Sequence, residues 1–273
     1  MHEQIITNPI SPDRKSCALQ QRAVGIVGRT AWVTENWLLL FSVGYGVMMI
    51  APFMAPVFMH WGWTGPAQVI YSIYSLLCHQ MAQRSFFLFG AQPMYAVSQF
   101  PIPVSAGQAD DMLALRAFIG NDNLGWKVAW SDRMVYVYGS FWLAGLIFSF
   151  IRTRYPRYQF KPLGPINILL LALMPVDGIT HFISDAIGGI TGGFRYDNQW
   201  LANLTEHIFP TGFYVGDALG SFNSWARLIT GVAFGLAIGF IAFPAVDKAL
   251  CETAITLRAK LTEIKSPIGQ NEI

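Results

Sequence analysis

The chain has 273 residues, of which 53% are hydrophobic, 14% aromatic and only 12% charged. An ordinary globular domain carries about 25% charged residues, so this composition is typical of a polytopic membrane protein and not of a soluble domain. The net charge of +2 is too small to indicate nucleic-acid binding. Three widely spaced cysteines, Cys17, Cys78 and Cys251, provide neither a disulfide framework nor a four-thiolate metal site.

The N-terminal part of the chain is expected to contain a polar or interfacial segment, residues 1–35, followed by a transmembrane helix within 36–64. Leu38 to Met59 is a run of 22 residues without a charge. At about 1.5 Å per residue, such a run crosses a hydrocarbon core of roughly 30 Å. Because a long polar stretch precedes it, we do not interpret this run as a cleaved signal peptide.

Four further spans are predicted within residues 65–248, and residues 249–273 form a tail. The predicted fold is therefore an all-α transmembrane bundle of about five spans. These spans are 67–83, 134–151, 166–181 and 228–246. The first of them ends in polar residues. The last of them carries Gly231, Gly235 and Gly239 at intervals of four, which predicts close helix packing on one face.

Two connections, residues 84–133 and 186–226, are far longer than the roughly 2 to 8 residues that usually join helices of a bundle. Aromatic residues such as Trp200 and Phe209 in the second connection indicate a folded cap or a docking surface. We expect both connections at the outer membrane face, because the basic run 152–161 and the basic tail favour the cytoplasm.

Two indicators disagree about the membrane side on which the N-terminus lies. Five spans place it outside, whereas Arg14, Lys15, Arg22 and Arg29 favour the inside. A sixth, broken crossing within 85–104, or an N-terminal segment lying on the membrane surface, would resolve the conflict.

Polar and ionisable side chains gather near the predicted span ends at one membrane face. These candidate binding residues are His79, Gln80, Arg84, Arg133, Asp177, His181, Asn223 and Arg227. Charges at such depths are costly, so they are expected to face the bundle and to pair. Asp177 requires a cation, which Arg84, Arg133 or Arg227 would supply. Three arginines near one aspartate would leave surplus positive charge for a phosphate or carboxylate.

Three stretches, Cys78 to Gly90, Pro175 to His181 and Asn223 to Gly231, resemble a family of small prokaryotic membrane proteins classed as domain of unknown function 2085. The resemblance implies a helical fold and the location of a site, without a reaction. The chain departs from the family pattern because Ser131-Asp-Arg-Met134 replaces a Cys-x-Arg-Cys motif. Compared with the family pattern, its two long connections are enlarged and its first transmembrane helix is an addition.

Several interpretations of the polar cluster remain open. It would be a set of ion pairs that fixes the helices, a pocket for a lipid or quinone head group, or a catalytic site with Asp177 and His181 as base and partner. A metal site from Cys78, His79, Asp177 and His181 is not required by the spacing, and no metal is predicted. A lone His79 or His181 would suffice for a haem or chlorophyll-type pigment.

Our functional expectation is a multi-pass protein of the inner or plasma membrane that serves as a non-catalytic accessory subunit of a larger, energy-transducing membrane complex. It would contact lipids and other subunits through its first span and outer connections, and its pocket would either lock the bundle or hold a lipid, a quinone or a pigment. The alternative is a membrane enzyme or carrier acting on a polar lipid or quinone head group.

Overall fold

A computed structural model describes residues 14–102, 109–155 and 164–266. Helices dominate, and one small sheet is present. In chain order, the elements are α1 (Arg14–Glu35), α2 (Trp37–His60), α3 (Thr64–Ser75), a 3₁₀ turn (Ala82–Arg84), β1 (Ser85–Leu88), a 3₁₀ turn (Val97–Gln99), α4 (Ala109–Ala117), β2 (Gly120–Asn121), β3 (Gly125–Ser131), α5 (Asp132–Arg154), α6 (Pro165–Gly188), α7 (Phe194–Asp197), α8 (Gln199–Leu204), α9 (Thr211–Tyr214) and α10 (Phe222–Lys265). The predicted all-α helical bundle is confirmed.

Four helices in the described ranges, α2, α5, α6 and α10, are long and apolar enough to cross a membrane. Large apolar side chains on these helices, such as Leu169, Phe182 and Ile229, are exposed, as expected where lipid is the solvent. At 44 residues, α10 is far longer than the roughly 20 residues that cross a bilayer. The chain is an integral, multi-pass membrane protein.

The predicted span at 67–83 is wrong, because its helix ends early. α3 has only 12 residues, about 18 Å at 1.5 Å per residue, which is too short for a hydrocarbon core of about 30 Å. The helix ends at Ser75, before Cys78, His79 and Gln80. The Gln80 side chain donates to the carbonyls of Tyr71 and Ala129 at 3.0 and 2.8 Å, so the chain turns back toward its own last helical turn.

A three-stranded antiparallel sheet, in the order β1-β3-β2, occupies part of the predicted connection 84–133. β1 pairs with β3 through Ser85 and Ser131, then Phe87 and Lys127. Gly125 has φ +75°, and an added Cβ there would lie 2.3 Å from the Leu88 carbonyl oxygen, so the hairpin requires glycine. β3 ends at Ser131, and α5 begins at the next residue, Asp132. Strand and turns fill the described part of 85–104, which leaves no sixth crossing in residues 85–102.

One of two compact units comprises residues 1–41 and 244–273, of which 14–41 and 244–266 are described. Within it, α1 and the residue that begins α2 contact the C-terminal part of α10. Trp37 Nε1 donates to Asp247 Oδ1 at 3.0 Å, and the Arg258 guanidinium donates both its Nε and Nη2 to the Glu35 carboxylate at 2.6 Å.

The other unit comprises residues 42–243 and contains the sheet and most of the spans. Gly231, Gly235 and Gly239 of α10 all face α5. An added Cβ at Gly235 would lie 2.3 Å from the Val137 carbonyl oxygen, and one at Gly239 would lie 2.4 Å from the Ala144 Cβ. The bare glycine backbone therefore allows α5 and α10 to approach closely along this stripe.

Candidate functional site

Arg227, in the second turn of α10, joins two buried carboxylates. Its Nε donates to Asp132 Oδ2 and its Nη1 to Asp217 Oδ1, both at 2.7 Å, and its Nη2 donates to the Asp217 carbonyl at 2.6 Å. The three side chains are 2%, 0% and 4% exposed. Charges this deeply buried remain ionised only when they are paired and hydrogen-bonded, and this geometry provides both conditions.

Arg84 extends this chain of ion pairs toward α6. Its Nε donates to Asp217 Oδ2 at 2.8 Å, and its Nη2 lies 3.0 Å from Asp185 Oδ2. Burial of the Asp217 carboxyl opposes its ionisation, but the positive charges of Arg84 and Arg227 outweigh burial and hold its pKa well below the usual range. The first group of ion pairs thus contains two arginines and three aspartates.

A second group centres on Asp177, in the middle of α6. Asp177 Oδ2 accepts from Arg133 Nη2 at 2.6 Å, and Oδ1 accepts from Arg195 Nη2 at 2.8 Å. Arg195 also donates from Nη1 to Thr180 Oγ1 at 2.8 Å. An added Cβ at Gly178 would lie 3.1 Å from Arg133 Nη1, so the bare backbone there gives the guanidinium room beside α6.

Together the two groups form what we call the ion-pair network. Its members are Arg84, Arg133, Arg195, Arg227, Asp132, Asp177, Asp185 and Asp217. Four arginines and four aspartates balance, so the predicted surplus of positive charge is wrong. Each described carboxylate of the network accepts from at least one guanidinium, so none of the four is left as an unpaired base.

The structure brings six of the eight predicted site residues together. Arg84, Arg133, Asp177 and Arg227 belong to the network, and Asn223 and His181 contact Arg195. Arg227 and Arg84 were expected near Asp177, but they pair with other aspartates.

The two remaining predicted residues lie apart from the ion pairs. His79 is exposed and forms no hydrogen bond or ion pair with any described residue. Gln80 is buried, but its side chain binds backbone carbonyls of α3 and β3. Both still line the cavity described below.

Four network members, Asp132, Asp185, Arg195 and Asp217, were absent from the predicted site. Asp185 carries a recognisable signal, because Asp177, His181 and Asp185 recur every four residues and share one face of α6. Arg195 and Asp217 lie in the irregular connection between α6 and α10, where no periodicity indicates which way a side chain points.

A cavity of about 280 Å³ lies beside the network. Its polar lining residues include Arg84, Asp132, Arg133, His181, Asp185 and Arg227. Other lining side chains are apolar, among them Met81, Met112, Met134 and Phe182. Phe182 and Met112 are exposed, at 74% and 40%, so part of the cavity lining lies at the protein surface.

Two nitrogen atoms of the cavity-lining residues are buried without a partner in the described chain, His181 Nδ1 and Arg133 Nε. His181 Nε2 lies 3.2 Å from Arg195 Nη2, and a guanidinium nitrogen only donates. Nε2 is therefore the acceptor, and we assign the ring proton to Nδ1. Both unpartnered atoms are then N–H donors.

The lining offers little sign of nucleophilic or metal chemistry. Cys78 Sγ lies 3.4 Å from Ser131 Oγ and accepts from backbone N–H groups, and no general base contacts it among the described residues. Within the described ranges, no three His, Cys, Asp or Glu side chains are grouped so as to hold a metal ion. The arrangement is suited to holding helices together through buried ion pairs.

Comparisons with known proteins add one partial match. No family model and no solved structure matches the chain. A stretch of 61 residues, 20% of this chain, is 36% identical to an uncharacterized protein of Methanocaldococcus jannaschii, and the match spans 39% of that protein's length. The chain therefore matches well under half of this curated relative. The resemblance to domain of unknown function 2085 stays a prediction.

Proposed function

We propose that this protein is a non-catalytic accessory subunit of a larger, energy-transducing membrane complex, bound through the connection between α6 and α10, residues 189–221, which we call the cap. The observation that carries the proposal is a set of exposed apolar side chains in the cap, outside the four spans. Leu204 and Ile208 are 73% and 77% exposed, and Trp200 and Phe209 are about half exposed. Apolar side chains of this size on one connection are typical of a protein interface.

The ion-pair network supports a structural role for the polar cluster. Arg227 connects α10 to Asp132 of α5, and Arg133 connects α5 to Asp177 of α6. Because all four carboxylates are paired, the network would hold the N-terminal turns of α5 and α10 against α6, and it leaves no free carboxylate to act as a general base.

The proposed membrane side follows from the basic residues. Arg152 and Arg154 end α5, and Lys248, Lys260 and Lys265 lie in the tail of α10. The positive-inside rule assigns this side to the cytoplasm of an inner or plasma membrane, and the four spans then bring Arg22 and Arg29 to the same side. Cap and network would face outward.

A native purification from the source membrane tests the accessory role. We expect the full chain to co-purify with a fixed set of subunits at constant stoichiometry. Ile208→Glu should release them, since it places a charge in the apolar surface, and Asn203→Glu, at an exposed polar neighbour, should not. If both variants and the parent protein run alone with unchanged thermal stability, the accessory role is wrong and the exposed side chains face lipid.

The cavity favours a second candidate function, a carrier or enzyme acting on a polar lipid or quinone head group. Its lining combines charged side chains with apolar side chains that are exposed at the surface, and such a ligand requires both. A solitary protein that retains one tightly held amphiphile through purification would favour this candidate over the accessory role.

A further inference from the structure

We propose that α3 and the turn after it, residues 64–79, form a re-entrant segment that dips into the membrane beside α2 and exposes an apolar face to lipid acyl chains. The segment enters where α2 ends and leaves on the same side, so it adds no crossing to the four spans. The inference needs neither a partner subunit nor a ligand in the cavity, and it is therefore independent of both candidate functions.

The contacts of α3 show that it runs back along α2. A turn at Gly62, where φ is +76°, brings the Trp63 ring onto the Phe58 ring, with centroids 5.7 Å apart. Near the other end of α3, the Tyr74 hydroxyl donates to the Met48 carbonyl at 2.7 Å. Positions 58 and 48 lie about 15 Å apart along α2 at about 1.5 Å per residue. As α3 proceeds, its contacts therefore pass from the last turns of α2 to the middle of that span.

The Tyr74 hydroxyl satisfies a carbonyl that α2 cannot satisfy by itself. Pro52 lies inside α2, and because proline has no backbone N–H, the carbonyl of Met48, four residues earlier, loses its helical hydrogen bond. In the hydrocarbon region such a carbonyl finds no water, so it needs a donor from the protein. Tyr74 supplies that donor and holds the end of α3 beside the proline of a transmembrane helix.

The last turn of α3 is hydrogen-bonded without water. The final four carbonyls of a helix have no partner further along it, and they must be satisfied by other groups. Here the carbonyls of Ser72, Ile73 and Tyr74 accept from Ser75 Oγ, Leu76 N and Leu77 N at 2.7, 3.3 and 3.1 Å, and the Ser75 carbonyl accepts from Arg116 Nη2 at 3.2 Å. A helix that ends at membrane depth requires this full pairing.

The outward face of α3 is apolar and exposed. Val69, Ile73 and Leu76 follow one another at intervals of four and three residues, so they share one face, and they are 59%, 55% and 86% exposed. The opposite face is buried against α2 and β3. Residues 61–78 carry no charge. An apolar helix of 12 residues is too short to span, and with one face exposed it is typical of a re-entrant segment.

The polar side chains at the tip of the segment adjoin a recess of their own. A cavity of about 150 Å³ is lined by Ser75, Cys78, His79 and Arg116, together with Leu76 and Leu77. A charge at membrane depth is costly unless it reaches water or a partner. Water that enters this recess solvates the Arg116 guanidinium from one side, while the exposed leucines contact lipid on the other.

Collision measurements on spin labels in liposomes test the proposal. A nitroxide is attached to Val69→Cys, Ile73→Cys or Leu76→Cys in the full-length chain with its three cysteines replaced by serine. All three positions are exposed, so the label should leave the fold intact. Oxygen concentrates among acyl chains, whereas a nickel chelate stays in water. We expect the ratio of oxygen to nickel collisions to rise from position 69 to position 76.

Two control positions calibrate these collisions. Ile229→Cys, exposed on the span α10, should give the value for lipid, and Asn123→Cys, in the exposed turn between β2 and β3, should give the value for water. The ratio at position 76 should be close to that at position 229 and several times that at position 123.

A double-mutant cycle tests the attachment of α3 to α2. Tyr74→Phe leaves the Met48 carbonyl without its donor and should shift the unfolding equilibrium about tenfold toward the unfolded state. In a Pro52→Ala background, position 52 regains its backbone N–H, so Tyr74→Phe should have a much smaller effect.

Three results would overturn the proposal. Ratios at all three labelled positions equal to that at position 123 would place α3 in water. Low collision rates with both reagents would show that protein covers this face, either a second copy of the chain or another subunit. Equal effects of Tyr74→Phe in both backgrounds would show that Tyr74 does not serve the Met48 carbonyl. The native purification can fail without affecting any of these results, so the two failures are distinguishable.

Discussion

Arg227 Nε lies 2.7 Å from Asp132 Oδ2, which joins the second turn of α10 to the first residue of α5. Both side chains are almost completely buried, and Arg227 also binds Asp217 from the connection before α10. One guanidinium therefore connects two transmembrane helices and the cap, and it is the central contact of the ion-pair network.

Removing the Arg227 guanidinium should destabilise the protein strongly. Arg227→Met leaves Asp132 without a cationic partner and Asp217 with Arg84 alone, and loss of one member of a buried ion pair costs about 3–5 kcal/mol. Reversible unfolding in mixed micelles would measure the loss. Arg258→Met is the matched control, because the Arg258–Glu35 pair is exposed to solvent and its loss should destabilise the protein far less. Equal losses for both variants would contradict the structural role of the network.

The glycine stripe on α10 predicts a position-specific effect of a single methyl group. Gly235→Ala would place Cβ against the Val137 carbonyl and the Ser140 hydroxyl, so α5 and α10 must separate, at a cost of about 1–3 kcal/mol. Gly44→Ala, on α2, meets no atom within 4 Å and should not destabilise. Thermal inactivation of the detergent-solubilised variants would compare them. A neutral Gly235→Ala would mean that the helices do not approach closely there.

Lys127 in β3 predicts a dependence of stability on pH. It is fully buried and donates from Nζ to the carbonyls of Gln80 and Arg116, both at 2.8 Å, and burial lowers its pKa to about 7. Since its folded pKa lies below its value of 10.5 in the unfolded chain, the unfolded chain binds more protons between these values. The free energy of unfolding should then rise with pH above 7, by at most about 1.4 kcal/mol per pH unit.

The difference in unfolding free energy between the parent protein and Lys127→Met isolates this contribution, because other titrating groups cancel. We expect the difference to increase from pH 7 to pH 9.5 in favour of the parent protein and to be flat below pH 6. Lys260→Met, at an exposed position in the tail, should give a flat difference throughout. A flat profile for Lys127→Met as well would show that Lys127 is not buried as described.

Four spans predict that α1 and the tail of α10 share a membrane side. In a background with all three cysteines replaced by serine, Arg22→Cys and Glu263→Cys should react with an impermeant maleimide from one side of sealed vesicles. Asn203→Cys, in the cap, should react from the other side. Labelling of positions 22 and 263 from opposite sides would require an odd number of crossings.

The amino-acid sequence predicts the apolar spans well because uninterrupted apolar length is a local property, as Leu38 to Met59 illustrates. It fails at 67–83, where α3 ends at Ser75 and the following residues pack against β3, as the contact between Gln80 and the distant carbonyl of Ala129 shows. The sheet is missed for a related reason, since the pairing of Ser85 with Ser131 joins residues 46 positions apart. Such contacts have no signature in local periodicity.

The candidate site, like the fold, is predicted from the sequence only where the signal is local. Asp177 and His181 are recognisable because a polar pair four residues apart on a membrane helix must face the protein interior. Two of the ion-pair residues, Arg195 and Asp217, are not recognisable in the sequence. Both come from the connection between α6 and α10, where the direction of a side chain depends on the fold of the whole connection. Without Asp217 and Asp185 the charge sum comes out positive, which is why an anionic ligand was expected and a balanced network was found.

A double-mutant cycle on Asp132 and Arg227 tests the network most directly. Unfolding free energies would be measured for the parent protein, Asp132→Leu, Arg227→Met and the double variant under one condition. We predict a coupling energy of at least about 2 kcal/mol, with the double variant more stable than the sum of the single losses implies, because neither buried charge is then left without its partner. Additive losses, with a coupling energy near zero, would show that this ion pair does not hold α5 and α10 together.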